Sequence, residues 1–100
     1  MNMQQMMAQA QKMQRELRKA QAELAQKEFV VSKGGAVTVT VLGNKVIKSV
    51  NIDADAFDAD NKEMVEDMIA LAINEALEQI DAEMEAINER ITGQPGGFGI

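Results

Sequence analysis

The sequence predicts an α+β fold, with a long N-terminal helix, a small antiparallel β-sheet of two or three strands and a long C-terminal helix. Two observations predict this order. Apolar residues recur at helical spacing in both terminal parts of the chain, whereas in the middle part they alternate with polar residues. The 100 residues are expected to form a single domain. Its predicted parts are a helix over 1–28, strands over 29–52, a helix over 60–92 and a flexible tail over 93–100.

The first predicted helix has an apolar seam whose members are separated alternately by three and four residues, which is the heptad spacing of a coiled coil. The seam consists of Met3, Met6, Ala10, Met13, Leu17, Ala20 and Leu24. Glycine and proline are absent from this stretch, and most of its other residues are good helix formers. At 1.5 Å per residue the helix is about 35–40 Å long. It therefore extends past a small sheet, and its seam needs a further partner.

The middle segment shows the period-two alternation of β-strands, interrupted by two turn signals. Valine occupies every second position of the most regular strand, at Val37, Val39 and Val41. Gly34-Gly35 precedes this strand and Gly43-Asn44 follows it, so turns are predicted at both ends. The next strand is predicted over 46–52, and the residues assigned to its core-facing register are Lys48, Val50 and Ile52.

The second predicted helix follows an acidic loop and carries its own coiled-coil seam. Asp60 and Glu63 match a capping box, in which Asp60 is the N-cap and Glu63 lies three residues later. The seam consists of Ile73, Leu77, Ile80, Met84, Ile87 and Ile91. Gly93 and Pro95 then end the helical pattern.

Two apolar seams and one small sheet expose more apolar surface than a single chain of 100 residues can cover. A hairpin-sized sheet is marginally stable by itself and needs either a helix on its face or strands from another chain. Short chains also bury a smaller fraction of their surface than long ones. The sequence therefore predicts a homodimer.

The composition argues against catalysis and against a bound metal ion or cofactor. The chain contains no cysteine and no histidine, so it lacks thiol nucleophiles and the commonest metal ligand and general base. The acidic loop that begins at Asp53 does not match a calcium-binding EF-hand, because Phe57, Asp58 and Met64 occupy positions that need other residue types. We therefore expect no enzyme activity, no catalytic or metal-ligating residue, no cofactor and no small-molecule substrate.

The N-terminal segment lacks the charged and continuously apolar regions of a signal peptide, and no apolar run approaches the ~20 residues of a membrane span. The protein is therefore expected in the cytosol, without a membrane partner. The methionines of the first helix would suit a peptide-binding groove or a membrane-surface face as well as a core stripe. Glutamine, and not lysine or arginine, dominates the polar side of this segment, which favours the core stripe.

Charge is unevenly distributed between the two halves of the chain. Residues 1–50 hold eight basic and three acidic residues, a net charge of +5, whereas residues 51–100 hold two basic and thirteen acidic residues, a net charge of −11. This asymmetry is typical of a protein with one polyanion-binding side. Attraction between the two helices is the simpler explanation when composition alone is considered.

Four basic residues of the first helix project away from its seam: Lys12, Arg15, Arg18 and Lys19. They form either a solvated surface or a set of phosphate contacts, which Lys33, Lys45 and Lys48 would extend over the strands. No aromatic residue lies among them to stack on bases. Contacts with nucleic acid would therefore be made to its backbone.

The segment 61–76, NKEMVEDMIALAINEA, resembles the signature of the YbaB/EbfC family of bacterial nucleoid-associated proteins. The Met/Gln-rich first helix, the Gly34-Gly35 turn, the strand end at 50–53 and the Gly/Pro tail are also similar, so the resemblance covers nearly the whole chain. It implies a homodimer whose sheets join and whose long helices protrude like tweezers. It also implies a protein without catalysis or cofactor that binds duplex DNA with little sequence specificity.

A member of this family is expected in the bacterial cytoplasm at the nucleoid, where it alters DNA conformation, organises the nucleoid or influences gene expression. The strongest family motif lies in the acidic helix and so assigns no DNA contacts. By charge and position, the predicted DNA-binding residues are Lys12, Arg15, Arg18, Lys19, Lys33 and Lys48. Two alternatives without DNA binding stay open, a prefoldin-like chaperone subunit and a coiled-coil adaptor.

Overall fold

The structure, a computed structural model, describes residues 2–93 and confirms the predicted order of elements. Its helices and strands are α1 (Met3–Gln26), β1 (Glu28–Lys33), β2 (Val37–Leu42), β3 (Ile47–Ile52) and α2 (Lys62–Thr92). The three strands form one sheet. Of the flexible tail predicted over 93–100, all but Gly93 lies outside the described residues.

Helix α1 begins at a side-chain cap and ends two residues before its predicted boundary. The Asn2 side chain accepts a hydrogen bond from the Gln5 backbone N–H at 2.8 Å. At the other end Lys27 is extended, with φ −69° and ψ 138°. Glu28 already pairs with Leu42 in the sheet, because pairing with β2 satisfies its backbone groups in place of the helix.

The sheet is antiparallel, with β2 in the centre. Gly34 and Gly35, which connect β1 to β2, have φ angles of 59° and 65°, and a type I′ turn needs positive φ at both central positions. Alternate residues of β1 and β2 are buried on one face, namely Phe29, Val31, Val37, Val39 and Val41. This is the apolar face that the valine alternation predicted.

Helix α2 crosses the apolar face but covers only part of it. The helix packs against β1 and β2, and Ala72, Ala76 and Ile80 are fully buried on its sheet-facing side. The two alanines allow the helix to lie close to the valines of β2. Strand β3 lies at the margin of this contact, so none of its residues is buried and Val50 remains 43% exposed.

Strand β3 contains a bulge that changes the predicted orientation of Lys48. Val50 and Ile52 lie on the apolar face, as predicted from their register. A register shift in the pairing with β2 makes Lys48 the extra residue, and Ile47 takes its place opposite β2. Lys48 reaches the outer face, where its Nζ contacts Glu28 Oε1. The predicted core-facing position of Lys48 is wrong, because one inserted residue reverses the side on which the preceding residues lie.

The predicted capping box at Asp60 and Glu63 is also wrong, because the chain makes a 3-10 turn over Ala59–Asn61 before α2 begins. Asp58 caps that turn by accepting a hydrogen bond from the Asp60 backbone N–H at 2.9 Å. Asn61, at the N-cap of α2, makes no side-chain cap bond. Acidic residues of the loop thus hold a tight turn and do not start the helix.

Beyond the sheet, α1 and residues 83–92 of α2 pack antiparallel, and together they form what we call the arm. Leu24 is buried against α2 near the sheet, whereas Lys19 lies beside Arg90 nearer the end of the arm. Helix α2 stops at Gly93, whose φ of 73° is the left-handed cap that glycine readily adopts. The arm makes the molecule elongated, with extents of 69, 23 and 16 Å.

The turn between β2 and β3 is bonded to the C-terminal end of α1. The Gly43 N–H donates to the Lys27 carbonyl oxygen at 2.9 Å, and the Asn44 N–H donates to the Ala25 carbonyl oxygen at 3.2 Å. The backbones approach so closely that a Cβ on Gly43 would lie 1.7 Å from the Leu24 carbonyl oxygen. Only glycine fits here, and this contact sets the direction in which α1 leaves the sheet.

Replacing Gly43 with alanine should destabilise the protein, because the added methyl group overlaps the α1 backbone. We expect a loss of about 3 kcal/mol in the free energy of unfolding, the upper end for overpacking, in urea denaturation followed by helical circular dichroism. Gly35→Ala is the matched control, because no atom lies within 4 Å of its added Cβ. That control should cost only about 1 kcal/mol for its left-handed backbone. Equal losses in the two variants would contradict the close approach at Gly43.

Candidate nucleic-acid interface

Ion pairs divide the ten basic residues of the chain into two sets. Five lysines each contact a carboxylate: Lys27, Lys33, Lys45, Lys48 and Lys62. Three of these pairs join residues in or beside the sheet to α2, with N–O distances of 2.6 Å for Lys27–Glu83, 2.7 Å for Lys33–Glu75 and 3.2 Å for Lys45–Asp81. The positive charge of this set is therefore compensated locally.

The other five basic residues have no carboxylate within ion-pair distance among residues 2–93. They are Lys12, Arg15, Arg18, Lys19 and Arg90, and all of them lie on the arm. The chain as a whole carries a net charge of −6. The fold nevertheless concentrates its uncompensated positive charge in one region.

Four of these cations, Lys12, Arg15, Arg18 and Lys19, form what we call the basic face of α1. Successive residues of a helix are ~100° apart, so the four lie between about 100° and 220° around the axis from Leu17 of the seam. All four are exposed. They span about 10 Å along the helix, and a DNA strand carries one phosphate per ~3.4 Å of its axis. The basic face therefore has room for about three phosphates of one strand.

Three exposed glutamates of α2 point away from its buried side, whereas Glu83 lines the groove between α2 and α1. Exposed glutamates in the C-terminal half of this helix include Glu78, Glu85 and Glu89. Each lies two residues from the buried Ile80 or Ile87, which corresponds to about 200° around the helix. Helix α1 packs on the Ile87 side, so Glu85 and Glu89 lie on the far side of the arm. Glu16 and Glu23 are acidic neighbours of the basic face on α1 itself.

Arg90 belongs to this region, although the sequence did not indicate it. It is one of two basic residues in the acidic half of the chain. In the structure it shares a groove with Lys19 and Glu16, because the end of α2 lies beside the middle of α1. The two coiled-coil seams could have indicated Arg90. If the seams are paired as two antiparallel helices, the end of α2 lies beside the middle of α1.

Lys33 and Lys48, which were also predicted to bind DNA, lie on the sheet and not on the arm. Lys33 pairs with Glu75 and Lys48 pairs with Glu28. Either lysine would have to leave its carboxylate to contact a phosphate. The structure therefore brings four of the six predicted residues together and places the other two in a separate region.

Among residues 2–93, surface charge is the main polar feature. Within residues 2–93, no group of Asp and Glu side chains could hold a metal ion, and no polar side chain is buried. The aromatic residues of that range, Phe29 and Phe57, lie on β1 and in the loop after β3, away from the basic face. None of the described helices is long and apolar enough to cross a membrane.

Comparison with known proteins identifies the family of the chain. The model of the YbaB/EbfC DNA-binding family matches residues 1–95. The chain belongs to this family. A nucleoid-associated protein of Clostridium novyi is 47% identical to it, over 98% of this chain and 90% of the relative. A nucleoid-associated protein of Enterococcus faecalis is 41% identical, over 95% of this chain and 93% of the relative.

A solved structure shares the fold of this YbaB/EbfC chain. An uncharacterized protein of Helicobacter pylori matches with a TM-score of 0.74, over 93% of this chain and 99% of that chain. The two sequences are 18% identical, so this likeness concerns the fold alone. It confirms the order of helix, three-stranded sheet and helix in this YbaB/EbfC protein.

The basic face of this YbaB/EbfC protein should be dispensable for stability, whereas the ion-paired lysines should not. Replacing Arg15 and Arg18 with glutamine should leave the free energy of unfolding unchanged, because both side chains are exposed and unpaired. Lys33→Gln should lower it by about 0.5 kcal/mol, the typical value for an exposed pair. That loss should disappear in a Glu75→Gln background, which a double-mutant cycle in urea would measure. A larger loss from the arginine pair would show that the basic face is structural.

Proposed function

We propose that this chain is a non-catalytic protein whose arm holds the phosphate backbone of duplex DNA. The observation that supports the proposal is the distribution of ion pairs. Every basic residue without a carboxylate partner among residues 2–93 lies on the arm. Lysine and arginine gain affinity for DNA by releasing counterions from phosphates. The basic face supplies most of these contacts, Arg90 adds to them, and Lys33 and Lys48 contribute only after leaving their carboxylates.

Binding through this surface has little sequence specificity. Contacts of lysine and arginine with phosphates position a protein on DNA without reading its bases. Stacking on bases would need aromatic side chains, and those of residues 2–93 lie elsewhere. Such a protein acts at the nucleoid in the bacterial cytoplasm, where it alters DNA conformation, organises the nucleoid or influences gene expression. The names of the relatives as nucleoid-associated proteins support this role.

Catalysis, a cofactor and a small-molecule substrate have no part in the proposal. Enzymes usually shift the pKa of their acids and bases by burying them, and no ionisable side chain of residues 2–93 is buried. The basic face is a convex helix surface, whereas small molecules bind in concave pockets. A rigid polyanion is the ligand that matches such a surface.

We also propose that two copies form a homodimer through the open face of β3. Ile47 and Val50 lie on the apolar face of the sheet yet are 48% and 43% exposed, because α2 does not cover them. A concave apolar surface lined by Ile52, Phe57 and Ile69 continues this region. Strand β3 is also an edge strand with unpaired backbone groups. An apolar patch beside an open strand edge is typical of a contact between chains.

A two-fold dimer at β3 would carry one arm on each protomer. The same surface would then meet itself, as in most homodimers. Two arms double the number of phosphates that a single molecule can hold, which raises affinity without new kinds of contact. This arrangement corresponds to the tweezers expected for the family.

The dimer should bind unrelated duplexes with similar affinity and with a steep dependence on salt. If each protomer engages about three phosphates, the dimer neutralises roughly six, and log affinity should fall against log salt with a slope near −5. Changing Arg15, Arg18 and Lys19 together to Glu should abolish binding in a gel-shift series. The dimer and its helix content should persist, because these side chains face away from the seam.

A matched pair of double variants separates the effect of local contacts on DNA affinity from the effect of net charge. Arg15→Glu/Arg18→Glu and Lys45→Glu/Lys62→Glu change the charge of the chain equally, but only the first pair alters the basic face. The first should lose affinity on every duplex, and the second should retain most of it. If the triple variant binds like the wild type, the basic face is only a solvated surface. Suppressed aggregation of an unfolded client protein, without DNA binding, would instead favour the prefoldin-like alternative.

Introducing a charge at Val50 should separate the protomers. Multi-angle light scattering should give about twice 10.9 kDa for the wild type and the single-chain mass for Val50→Glu, because the new carboxylate would be buried in the interface. Ser49→Glu is the matched control, since Ser49 is exposed on the other side of β3. Refractive index should be used for detection, because the chain lacks Trp and Tyr. A dimeric Val50→Glu variant would exclude β3 as the contact.

A further inference from the structure

The first half of α1 extends past the end of α2 and carries an apolar stripe that nothing in residues 2–93 covers. Arg90 and Ile91 lie at the level of Glu16 to Ala20, so α1 continues alone from about Met13 towards its N-terminus. The exposed methionines, which we call the Met stripe, are Met3 at 76%, Met6 at 57%, Met7 at 57% and Met13 at 39%. The expectation that methionines of this helix form a core stripe is therefore not met within one chain.

The Met stripe is the continuation of a seam that already pairs with another helix. Its members Met3, Met6 and Met13 lie on the same heptad positions as Leu17, Ala20 and Leu24. Those three residues pack against α2 at the base of the arm, and Leu24 is buried there. The exposed part therefore has the apolar spacing of a coiled coil, but no helix within residues 2–93 packs on it.

The charge of this segment indicates what the second helix is. Residues 2–11 contain no charged side chain, and glutamine and methionine dominate them. Two identical copies can therefore approach without repulsion. Residues 2–11 offer no cationic side chain to DNA and no basic polar face to an anionic membrane. A neutral apolar stripe matches another copy of itself better than it matches either polyanion.

We propose that the Met stripe pairs with the Met stripe of another molecule and so links separate homodimers, an inference that rests on the proposed DNA-binding dimer. About three helical turns from each partner would be in contact. Such an area falls below the ~1,200 Å² of a stable complex, so the contact is weak in free solution. On DNA the copies are held close together, which raises their effective concentration and populates the contact. Two duplexes are thereby held by one assembly.

The variant that removes this contact is Met3→Gln/Met6→Gln, because glutamine resembles methionine in length and helix propensity. The matched control is Gln4→Ala/Ala8→Gln, which alters the opposite side of the same helical turns. Sedimentation velocity over a concentration series, without DNA, should show species larger than a dimer for the wild type and the control. The Met variant should stop at the dimer.

A second readout measures the linking of duplexes. An immobilised duplex should capture a labelled second duplex with the wild type and the control, and capture should fall roughly tenfold or more with the Met variant. Affinity for a single duplex at low protein concentration should be unchanged. A loss of that affinity would assign the Met stripe to the DNA contact and overturn the proposal, as would unchanged assembly and capture.

Cysteine cross-linking locates the contact and separates the two proposals. The chain has no cysteine, so Met6→Cys and Ala8→Cys each introduce a single thiol. A short bifunctional maleimide should join Met6→Cys chains into assemblies of four or more protomers by native mass, and Ala8→Cys chains much less. Cross-linked assemblies of only two protomers would mean that the arms close within one dimer, which overturns the linking of dimers. Since this experiment needs no DNA, a failure of DNA binding would leave its outcome readable.

Discussion

The packing of α2 across β1 and β2, but not across β3, is the constraint on which the rest of the structure depends. It closes the core, because Ala72 and Ala76 lie buried on the face where the valines of β2 are also buried. The 31 residues of α2 span about 46 Å, so its C-terminal end projects past the sheet and gives α1 a partner. The same asymmetry leaves β3 open, which supplies the apolar surface proposed for the homodimer.

Ion pairs shape the charge of the surface more than they stabilise the fold. Exposed pairs such as Lys27–Glu83 and Lys45–Asp81 contribute roughly 0–1 kcal/mol each. They do, however, compensate the cations in or beside the sheet with carboxylates of the acidic helix α2. The cations left over lie on the arm, and the exposed Glu85 and Glu89 of α2 lie on its far side. A chain with a net charge of −6 thus presents a positive surface.

The fold followed from the sequence because each element has a local period. Alternating valines predicted the buried face of β2, and the spacing of Leu17, Ala20 and Leu24 predicted the apolar seam of α1, which in the structure packs against α2. The errors occurred where two local solutions compete. The bulge at Lys48 replaces a regular register and the 3-10 turn before α2 replaces a capping box, and no pattern of side chains distinguishes these alternatives beforehand. The local period of α1 also explains why the candidate site could be predicted in part, since the four residues of the basic face belong to one helix.

The sequence alone determines the helical and strand periods, the side of α1 on which the basic face lies and the absence of cysteine and histidine. These properties depend on residues a few positions apart or on composition. The tertiary structure adds the pairing of Lys33 with Glu75, the position of Arg90 beside Lys19 and the exposure of Val50. Each of these depends on how distant segments pack. The position of α2 over β1 and β2 determines them. In the same packing the end of α2 lies short of the tip of α1, which is why the Met stripe is exposed.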